Sequence, residues 1–385
     1  MGSEMCIRDR AGVDCNIRGQ GISAESVDST LITSLSSDYG SPQSIYQTES
    51  GDIYFTASGS GDYGGLAVYR VEGNSIRKFY SVSPTDIEGD TPDFDSGFIM
   101  GDDGEALYIY IHLAQKVAKL TFDGAFSVAI RLDELTGILF PEVSRLVNGR
   151  FVAKDSDSEL IYINTSGEIV DRFSLPSEYR LSNDPGDFGP NGDYFVMAST
   201  EVFGDGTRGD AVLVSYNFAS QEFKEIHRFT KEEIGNGFYM GLRANYRNEI
   251  ASVSQFNGFG VQDSQQILFS ITESEGFRRL GVVPSDFQMS NLSDHSDIVV
   301  SGSGEVFAQN YRRFVALHPN QIVLSEIRQD VDGAVLGAAY SEPTLARNGE
   351  ILSAARIIGT QVGVIGYNSS QSPSLIALSL SLIHI

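Results

Sequence analysis

Hydrophobic positions along this chain occur in short runs that alternate with polar positions at a period of two, which is the pattern of half-buried β-strands. In residues 53–57, for example, Ile53, Phe55 and Ala57 share one face. A turn of small or acidic residues built on Gly or Asn precedes each such run. These turn-and-strand units occur seven times, at residues 50–55, 103–108, 148–152, 191–196, 247–251, 303–307 and 348–352. Since no stretch sustains a helical stripe for long, the pattern predicts an all-β chain.

The spacing of the units predicts how the strands are grouped. The turns follow one another at intervals of about 43 to 56 residues, the range in which a four-stranded propeller blade repeats. Each interval has room for four strands, and the first reads as strands at residues 43–47, 53–57, 66–71 and 75–82. We therefore predict an all-β fold, a β-propeller of seven four-stranded blades. A propeller of six blades or an incomplete propeller is the alternative.

Closure of the ring depends on the ends of the chain. Residues 29–35 read as a strand, and they precede the first repeat at the place where an outermost strand would be needed. A propeller closes most simply when the first strand of the chain completes the last blade, because this removes an open sheet edge. We expect closure of this kind. In the alternative, the missing strands lie beyond the ends of the sequence.

Both termini carry segments that we set aside from the fold. Residues 5–10 and 380–385 are what results from translating, on opposite strands, a transposon end used to prepare sequencing libraries. We interpret the chain as a bacterial open reading frame from environmental DNA, cut at both ends. The expected organisation is an adapter-derived scar at 1–10, a disordered or partial lead-in at 11–28, a single propeller domain at 29–378 and a second scar at 380–385.

The fourth turn resembles a known group of repeats. Residues 188–196 read Phe-Gly-Pro-Asn-Gly-Asp-Tyr-Phe-Val. This segment looks like the Phe-Ser-Pro-Asp-Gly-Lys turn of the bacterial Tol-system (TolB-like) propeller repeats, where the turn joins the innermost strand to the next. Residues 49–52 and 347–350 keep the Gly turn and lack the Pro. The resemblance implies a propeller fold, and it implies no function, since propellers host many unrelated functions.

The charge balance limits the classes of partner. The chain has 27 Lys and Arg residues against 51 Asp and Glu residues, a net charge of -24. This charge repels phosphate backbones and anionic lipid, so it disfavours nucleic acid and membrane surfaces. No apolar run approaches the roughly 20 residues that span a bilayer. We expect a monomer that binds a protein or glycan ligand; the alternative is an acidic surface that only keeps the protein in solution.

Cysteine usage leaves the cellular compartment undetermined. Of the two cysteines, Cys6 belongs to the first scar, and Cys15 remains alone. A single thiol forms no internal disulfide and cannot supply the paired ligands of a structural zinc site. Avoidance of cysteine is compatible with export, so a periplasmic or secreted location is favoured.

Acidic residues concentrate in the predicted loops between blades. If the Gly turns join the first and second strands, the loops between blades lie on the opposite face, where propellers commonly bind ligands. Carboxylates gathered there either bind a hard cation such as calcium or have a raised proton affinity. Solvated turn residues are the alternative, because Asp favours turns. The candidate ligand-binding residues are Asp90, Asp93, Asp95, Asp184, Asp187, Asp294, His295 and Asp297.

Catalytic motifs are not evident in the sequence. It contains no Gly-x-Ser-x-Gly elbow, no Gly-rich phosphate loop and no paired His-Glu metal motif. His295, between Asp294 and Asp297, is the one histidine placed where a general base or metal ligand would be useful. Residues 155–159 begin like an acidic calcium loop, but Leu160 stands where a Gly is required. We therefore assign no catalytic residue, and the sequence leaves the metal ligands, if calcium binds, undetermined.

The functional prediction follows from the charge and from the missing motifs. We predict a noncatalytic binding or scaffold propeller whose acidic face engages a basic protein, a glycan or a divalent cation. The alternative is a calcium-dependent hydrolase or lactonase with a metal at the channel mouth. Calcium is the one cofactor under consideration.

Overall fold

The computed structural model describes the chain from residue 41 to residue 230 with few gaps, and mainly strands outside that part. The described residues are 7–8, 14–15, 31–33, 41–59, 65–73, 75–88, 97–139, 141–181, 186–189, 191–200, 210–230, and the strands given below between 238 and 380. Every regular element among them is a β-strand except one single-turn helix. The prediction of an all-β chain is confirmed.

Strands in the first part of the chain form four antiparallel groups. Before them lie β1 (Ile7–Arg8), β2 (Asp14–Cys15) and β3 (Leu31–Thr33). The first group is β4 (Ser41–Gln47), β5 (Ile53–Ser58), β6 (Ala67–Glu72) and β7 (Ser75–Ser81). The second is β8 (Gly97–Asp102), β9 (Ala106–Ile111), β10 (Lys116–Thr121) and β11 (Phe126–Arg131), followed by the helix α1 (Leu132–Leu135).

In the third and fourth groups the innermost strand is irregular. The third has bridges at Val143 and Val147 in this place, followed by β12 (Arg150–Ser156), β13 (Glu159–Asn164) and β14 (Ile169–Ser174). In the fourth, β15 (Tyr179–Leu181) and β16 (Asp187–Phe188) both pair with β17 (Asp193–Thr200), which is followed by β18 (Ala211–Asn217) and β19 (Glu222–Arg228).

The second part of the chain forms three further groups. The fifth is β20 (Phe238–Ala244), β21 (Ile250–Gln255), β22 (Gln266–Thr272) and β23 (Gly276–Val283). The sixth is β24 (Ile298–Val300), β25 (Val306–Asn310), β26 (Arg313–His318) and β27 (Gln321–Ser325). In the seventh, β28 (Leu336–Tyr340) and β29 (Thr344–Leu345) both pair with β30 (Ile351–Ile357), which is followed by β31 (Gln361–Tyr367) and β32 (Ser374–Leu380).

Each group packs against the next one along the chain. β4 contacts β8, β16 contacts β20, β20 contacts β24, and β24 contacts β29. The backbone amide of Leu146 donates to the carbonyl of Met100 at 2.9 Å, which joins the second and third groups. β28, β29 and β30 of the seventh group contact β4 of the first. Small antiparallel sheets packed in this order around an axis make a β-propeller, as predicted; the number of blades stays a prediction.

The N-terminal strand β3 pairs in a way the sequence pattern did not predict. Leu31 lies opposite Leu378 of β32 in parallel, and Thr33 lies opposite Ser75 of β7, also in parallel. The seventh group already has a fourth strand, because β32 returns antiparallel along β31. The expectation that the first strand supplies the missing strand of the last blade is therefore wrong, and β3 instead lies between the outer strands of the seventh and first groups.

The Gly turns join the innermost strand of a group to its second strand. In the fourth group, the Gly192 amide donates to the Gly189 carbonyl at 3.1 Å, and the Gly189 amide donates to the Asp193 carbonyl at 2.8 Å. Gly192 has a φ of +82°, in the left-handed region where side chains with a Cβ are strained. This explains why the turn recurs with Gly or Asn at this position.

The hydrophobic core lies between neighbouring groups. Tyr54 and Val68 of the first group pack with Leu107 and Ile109 of the second in one buried cluster. Between the third and fourth groups, the rings of Phe173 and Tyr216 stack with centroids 3.8 Å apart. Burial of a large side chain of this kind stabilises a fold by roughly 1.5 to 3 kcal/mol. The seams between groups therefore hold the sheets at fixed positions around the axis.

Candidate functional site

Two faces of the ring differ in what connects their strands. The Gly turns lie on one face, which we call the turn face. The opposite ends of the strands, where the chain passes from a second to a third strand and from one group to the next, define the opposite face, which we call the loop face. The sequence analysis placed the candidate ligand-binding residues on the loop face.

Of those eight residues, Asp187 lies within the described part of the chain; Asp90, Asp93, Asp95, Asp184, Asp294, His295 and Asp297 lie outside it. Asp187 is in strand β16 opposite Phe195, and only 8% of it is exposed. Its Oδ1 accepts a hydrogen bond from the Phe188 amide at 3.0 Å. The structure thus places Asp187 in the wall of the fourth group and not in an open loop.

A buried lysine anchors the loop between the first and second groups. Lys116 is 1% exposed, and its Nζ donates to the carbonyl of Ile87 at 2.8 Å. The next residue, Glu88, has its Oε2 3.9 Å from the same Nζ and is also paired with Arg131. Nε of Arg131 in turn lies 3.6 Å from Oε1 of Glu134 in α1. This cation network fixes the start of the segment that continues to Asp90, Asp93 and Asp95.

The same loop is closed on itself by a short polar turn. The Ser83 amide donates to Asp86 Oδ2 at 2.7 Å, and the Asp86 amide donates to Ser83 Oγ at 3.3 Å. Burial, together with a hydrogen bond and the charge of Asp86, raises the pKa of Tyr80 to about 12. The Tyr80 hydroxyl is therefore neutral near pH 7 and serves as a donor to this carboxylate.

Acids of the third group are paired with cations of the same group. Asp155 accepts from the Gly137 amide at 2.5 Å and from Arg172 Nη1 at 2.9 Å. The same Arg172 nitrogen donates to Glu159 Oε1 at 2.9 Å. Residue 157 completes the acidic segment, and its carboxylate lies 3.0 Å from the Nζ of the buried Lys154. These carboxylates already have cationic partners, so the segment does not fit a calcium loop.

Elsewhere in the described part of the chain, the acidic side chains form no candidate metal site. Within the residues that the structure describes, no group of three or more His, Cys, Asp or Glu side chains is arranged to hold a metal ion. In that same part of the chain, no helix is long and apolar enough to cross a membrane.

The fourth group carries a bidentate ion pair near the loop face. Arg228 donates from Nε to Glu225 Oε1 at 3.1 Å and from Nη2 to Oε2 at 2.7 Å. The Tyr179 hydroxyl donates to the same carboxylate at 2.5 Å. The hydrogen bonds from Arg228 hold the pKa of Glu225 below its usual range, and the bond to Glu225 raises the pKa of Tyr179. The pair ties β15 to the outer strand of the group.

This ion pair gives a testable pH dependence. A carboxyl whose pKa is lowered on folding stabilises the protein fully above its unfolded pKa of about 4.3, and the contribution is lost as the pH falls through the lower folded value. Because 31% of the Glu225 side chain is exposed, we expect a contribution of only about 0.5 kcal/mol. Urea midpoints of the wild type and Glu225→Gln should converge as the pH drops from 7 to 3.

Glu222→Gln is the control for this prediction. The side chain of Glu222 is 58% exposed, and this variant should keep the wild-type profile. A constant gap between wild type and Glu225→Gln would contradict the assignment.

Aromatic residues connect the second and third groups at the loop-face end of the inner strands. The hydroxyl of the buried Tyr110 donates to the Pro141 carbonyl at 2.7 Å. Its ring meets those of Phe98 and His112 edge-on, with centroids 5.5 and 5.9 Å away. Burial raises the pKa of Tyr110. The contact sets the position at which the third group begins.

Sequence reasoning missed Lys116 and Lys154, which are the buried cations of the loop face among the residues that the structure describes. Both belong to strands of alternating pattern, where a lysine is ordinarily taken as solvent-facing. The signal in the sequence was a lysine next to apolar residues at the end of a strand, as in Lys116-Val117-Ala118. That signal identifies no partner, because the partners come from other loops.

Comparison with solved structures places the chain among β-propeller proteins at the level of the fold. It is similar to a virginiamycin B lyase from Staphylococcus aureus, with a TM-score of 0.51, 12% identity, and coverage of 84% of this chain and 94% of the other. It is similar to the extracellular domain of a putative hybrid two-component system from B. thetaiotaomicron, with a TM-score of 0.53, 13% identity, and coverage of 88% and 40%. For a puromycin-hydrolyzing peptidase from Mycobacterium tuberculosis the TM-score is 0.54, the identity 9%, and the coverage 93% and 57%.

These similarities define the class of protein and no more. No family model and no curated protein sequence matches the chain. The similar structures include two enzymes and an extracellular domain, so the shared fold does not choose between catalysis and binding. The resemblance seen at residues 188–196 holds as a likeness of fold.

Proposed function

We propose that this propeller is a noncatalytic binding module whose loop face engages a basic segment of a protein partner. The observation that supports it is the anchoring of the loop between the first and second groups. Lys116 holds the Ile87 carbonyl and Arg131 pairs with Glu88 at the base of this loop, and Asp90, Asp93 and Asp95 follow within seven residues of Glu88. A loop fixed at its base presents its acids at lower entropic cost than a free one.

Long-range electrostatics favour a cationic partner. The net charge of -24 is carried by a chain whose loop-face acids, in the proposal, include Asp184, Asp294 and Asp297 beside the imidazole of His295, whereas the buried Asp187 is not one of them. Such a field raises the association rate of basic ligands and makes binding sensitive to salt. The acids paired with Lys116, Arg172 and Arg228 brace the loops and contribute little to the field, because their charges are neutralised locally.

The test compares loop-face acids with turn-face acids at equal change of charge. We expect Asp90→Asn/Asp93→Asn/Asp95→Asn to weaken binding of a ten-residue lysine and glycine peptide by about tenfold in calorimetric titration. The matched control is Glu49→Gln/Glu105→Gln/Glu222→Gln, which removes three exposed acids from the turn face. It should bind within about twofold of the wild type, since the distant charges are screened. Equal weakening by both triple variants would contradict a specific face.

Two further titrations separate the basic partner from the other candidates. If calcium binds, no lactone or glycoside of a test panel is turned over and no peptide binds, the ligand is a divalent cation. Calcium binding with turnover would replace the binding module by a hydrolase or lactonase. Binding of neutral glycans that is insensitive to the triple Asn variant would move the site away from the acidic loop.

A further inference from the structure

The loop that follows α1 contains a leucine whose side chain is exposed to solvent. Leu139 is 77% exposed, and it lies on the loop face between the second and third groups. The other exposed large apolar residues among the described side chains are Val170 at 44% and Leu113 at 37%. A single exposed leucine is ordinary on a protein surface. What distinguishes Leu139 is that the loop that carries it is hydrogen-bonded to neighbouring strands on both sides.

Hydrogen bonds fix the loop on both sides of this leucine. Before it, the Gly137 amide donates to Asp155 Oδ1 at 2.5 Å. After it, the Pro141 carbonyl accepts from the Tyr110 hydroxyl at 2.7 Å. Both partners belong to neighbouring strands, β12 and β9, and Tyr110 is only 1% exposed. These two bonds hold the loop to the second and third groups at Gly137 and at Pro141, on either side of Leu139.

Acidic side chains and a second leucine accompany this loop. Asp133 and Glu134 are exposed on α1, six and five residues before Leu139, and Glu134 Oε1 also lies 3.6 Å from Arg131 Nε. The amide of Leu132 donates to the Gln115 carbonyl at 2.9 Å, which joins α1 to the turn that carries Leu113. Two of the three exposed large apolar residues among the described side chains thus occur on connected loops of one face, and α1 between these loops carries exposed carboxylates.

We propose that Leu139, with Asp133 and Glu134, is the anchor for an apolar side chain that the basic partner carries between its lysines or arginines. The inference rests on the proposed function and adds the partner's chemistry to it. An apolar side chain laid on Leu139 removes both from water, while flanking cations meet the carboxylates of α1. A preformed anchor loses little conformational freedom on binding, which is the condition for a binding hot spot. An anionic membrane surface, the other source of apolar groups, is repelled by these acids.

The experiment is a double-mutant cycle between the protein and the peptide. Two lysine and glycine peptides are titrated, one with a single central leucine and one with glycine in its place. In the wild type, we expect the central leucine to tighten binding about tenfold. In Leu139→Ala this gain should fall below about twofold. Val170→Ala removes methyl groups from an exposed residue of β14 near the turn face, and it should keep the full gain.

A second pair of variants tests the charges. Asp133→Asn/Glu134→Gln should weaken both peptides about threefold to tenfold and flatten the salt dependence of binding. Glu168→Gln/Asp171→Asn makes the same change of charge beside Val170 and should leave both affinities within about twofold of the wild type. Urea unfolding of each variant confirms that the exposed substitutions leave the fold intact.

The outcomes separate this inference from the proposed function. If both peptides bind and the triple Asn variant weakens them, but the leucine gain persists in Leu139→Ala, the anchor is overturned and the binding face stands. If the gain is lost in Leu139→Ala while the triple Asn variant binds as the wild type does, the anchor stands and the acidic loop is overturned. If neither peptide binds the wild type, both are overturned.

Discussion

Gly186→Ala is expected to destabilise the protein by about 3 kcal/mol or more. Gly186 has a φ of +78°, and an added Cβ would lie 2.3 Å from the carbonyl oxygen of Phe195. It would also lie 3.0 Å from the Tyr194 ring, which is buried. The carbonyl belongs to β17, so the backbone cannot move without disturbing the pairing of Asp187 with Phe195. The steric overlap adds to the strain of the left-handed conformation.

Gly192→Ala is the matched control for this prediction. Gly192 has nearly the same φ, +82°, but nothing lies within 4 Å of the position its Cβ would occupy. We expect this variant to lose only about 1 kcal/mol, the cost of the backbone conformation. The urea midpoints of the two variants measure the difference. Equal losses would show that the approach of Gly186 to β17 is not close, and would contradict the packing described here.

Thr56→Val is expected to cost about 2 to 3 kcal/mol, because it removes the centre of a buried hydrogen-bond network between the first and second groups. Thr56 is fully buried, and its hydroxyl donates to the Gly97 carbonyl at 2.6 Å. It accepts from the Ser44 hydroxyl at 2.9 Å, and Ser44 Oγ accepts from the Ile99 amide at 2.8 Å. Valine has the shape of threonine, so packing is retained while the Gly97 carbonyl and the Ser44 hydroxyl lose a partner.

Thr56→Ser separates hydrogen bonding from packing at this position. Serine keeps the hydroxyl and loses one methyl group, so we expect a loss of about 1 kcal/mol. Both variants are measured by urea unfolding with the slope of the transition recorded, since a changed slope would indicate loss of two-state behaviour. A smaller loss for Val than for Ser would show that the network contributes less than the methyl group does.

Thr56 and Lys116 affect function because both lie in contacts that position the loop face. Thr56 joins the first group to the second, and Lys116 of the second holds the loop that precedes Asp90. The loop face is therefore positioned by contacts that lie inside the molecule. Binding proposals for Asp90 and for Leu139 are best tested with exposed variants, because a variant at a seam changes stability and loop position together.

Local pattern was sufficient to predict the strands and their turns. The sequence predicted strands at 53–57 and 66–71, and the structure has β5 (Ile53–Ser58) and β6 (Ala67–Glu72). The Gly192 turn that precedes β17 was also predicted, and the structure gives this glycine a positive φ. These features depend on neighbouring residues alone: a period of two selects one face of a strand, and a left-handed turn selects Gly. Repetition of the unit then predicted a propeller.

Tertiary structure decided which polar groups are brought together. The sequence did not show that Lys116 is buried against the Ile87 carbonyl, that Asp155 holds the Gly137 amide, or that β3 runs parallel to β32. It placed Asp187 in a loop, whereas the structure has it buried in β16. Each of these contacts joins residues from different strands or loops. Their free energy depends on burial and on distance in space, and neither is encoded in the local alternation of polar and apolar residues.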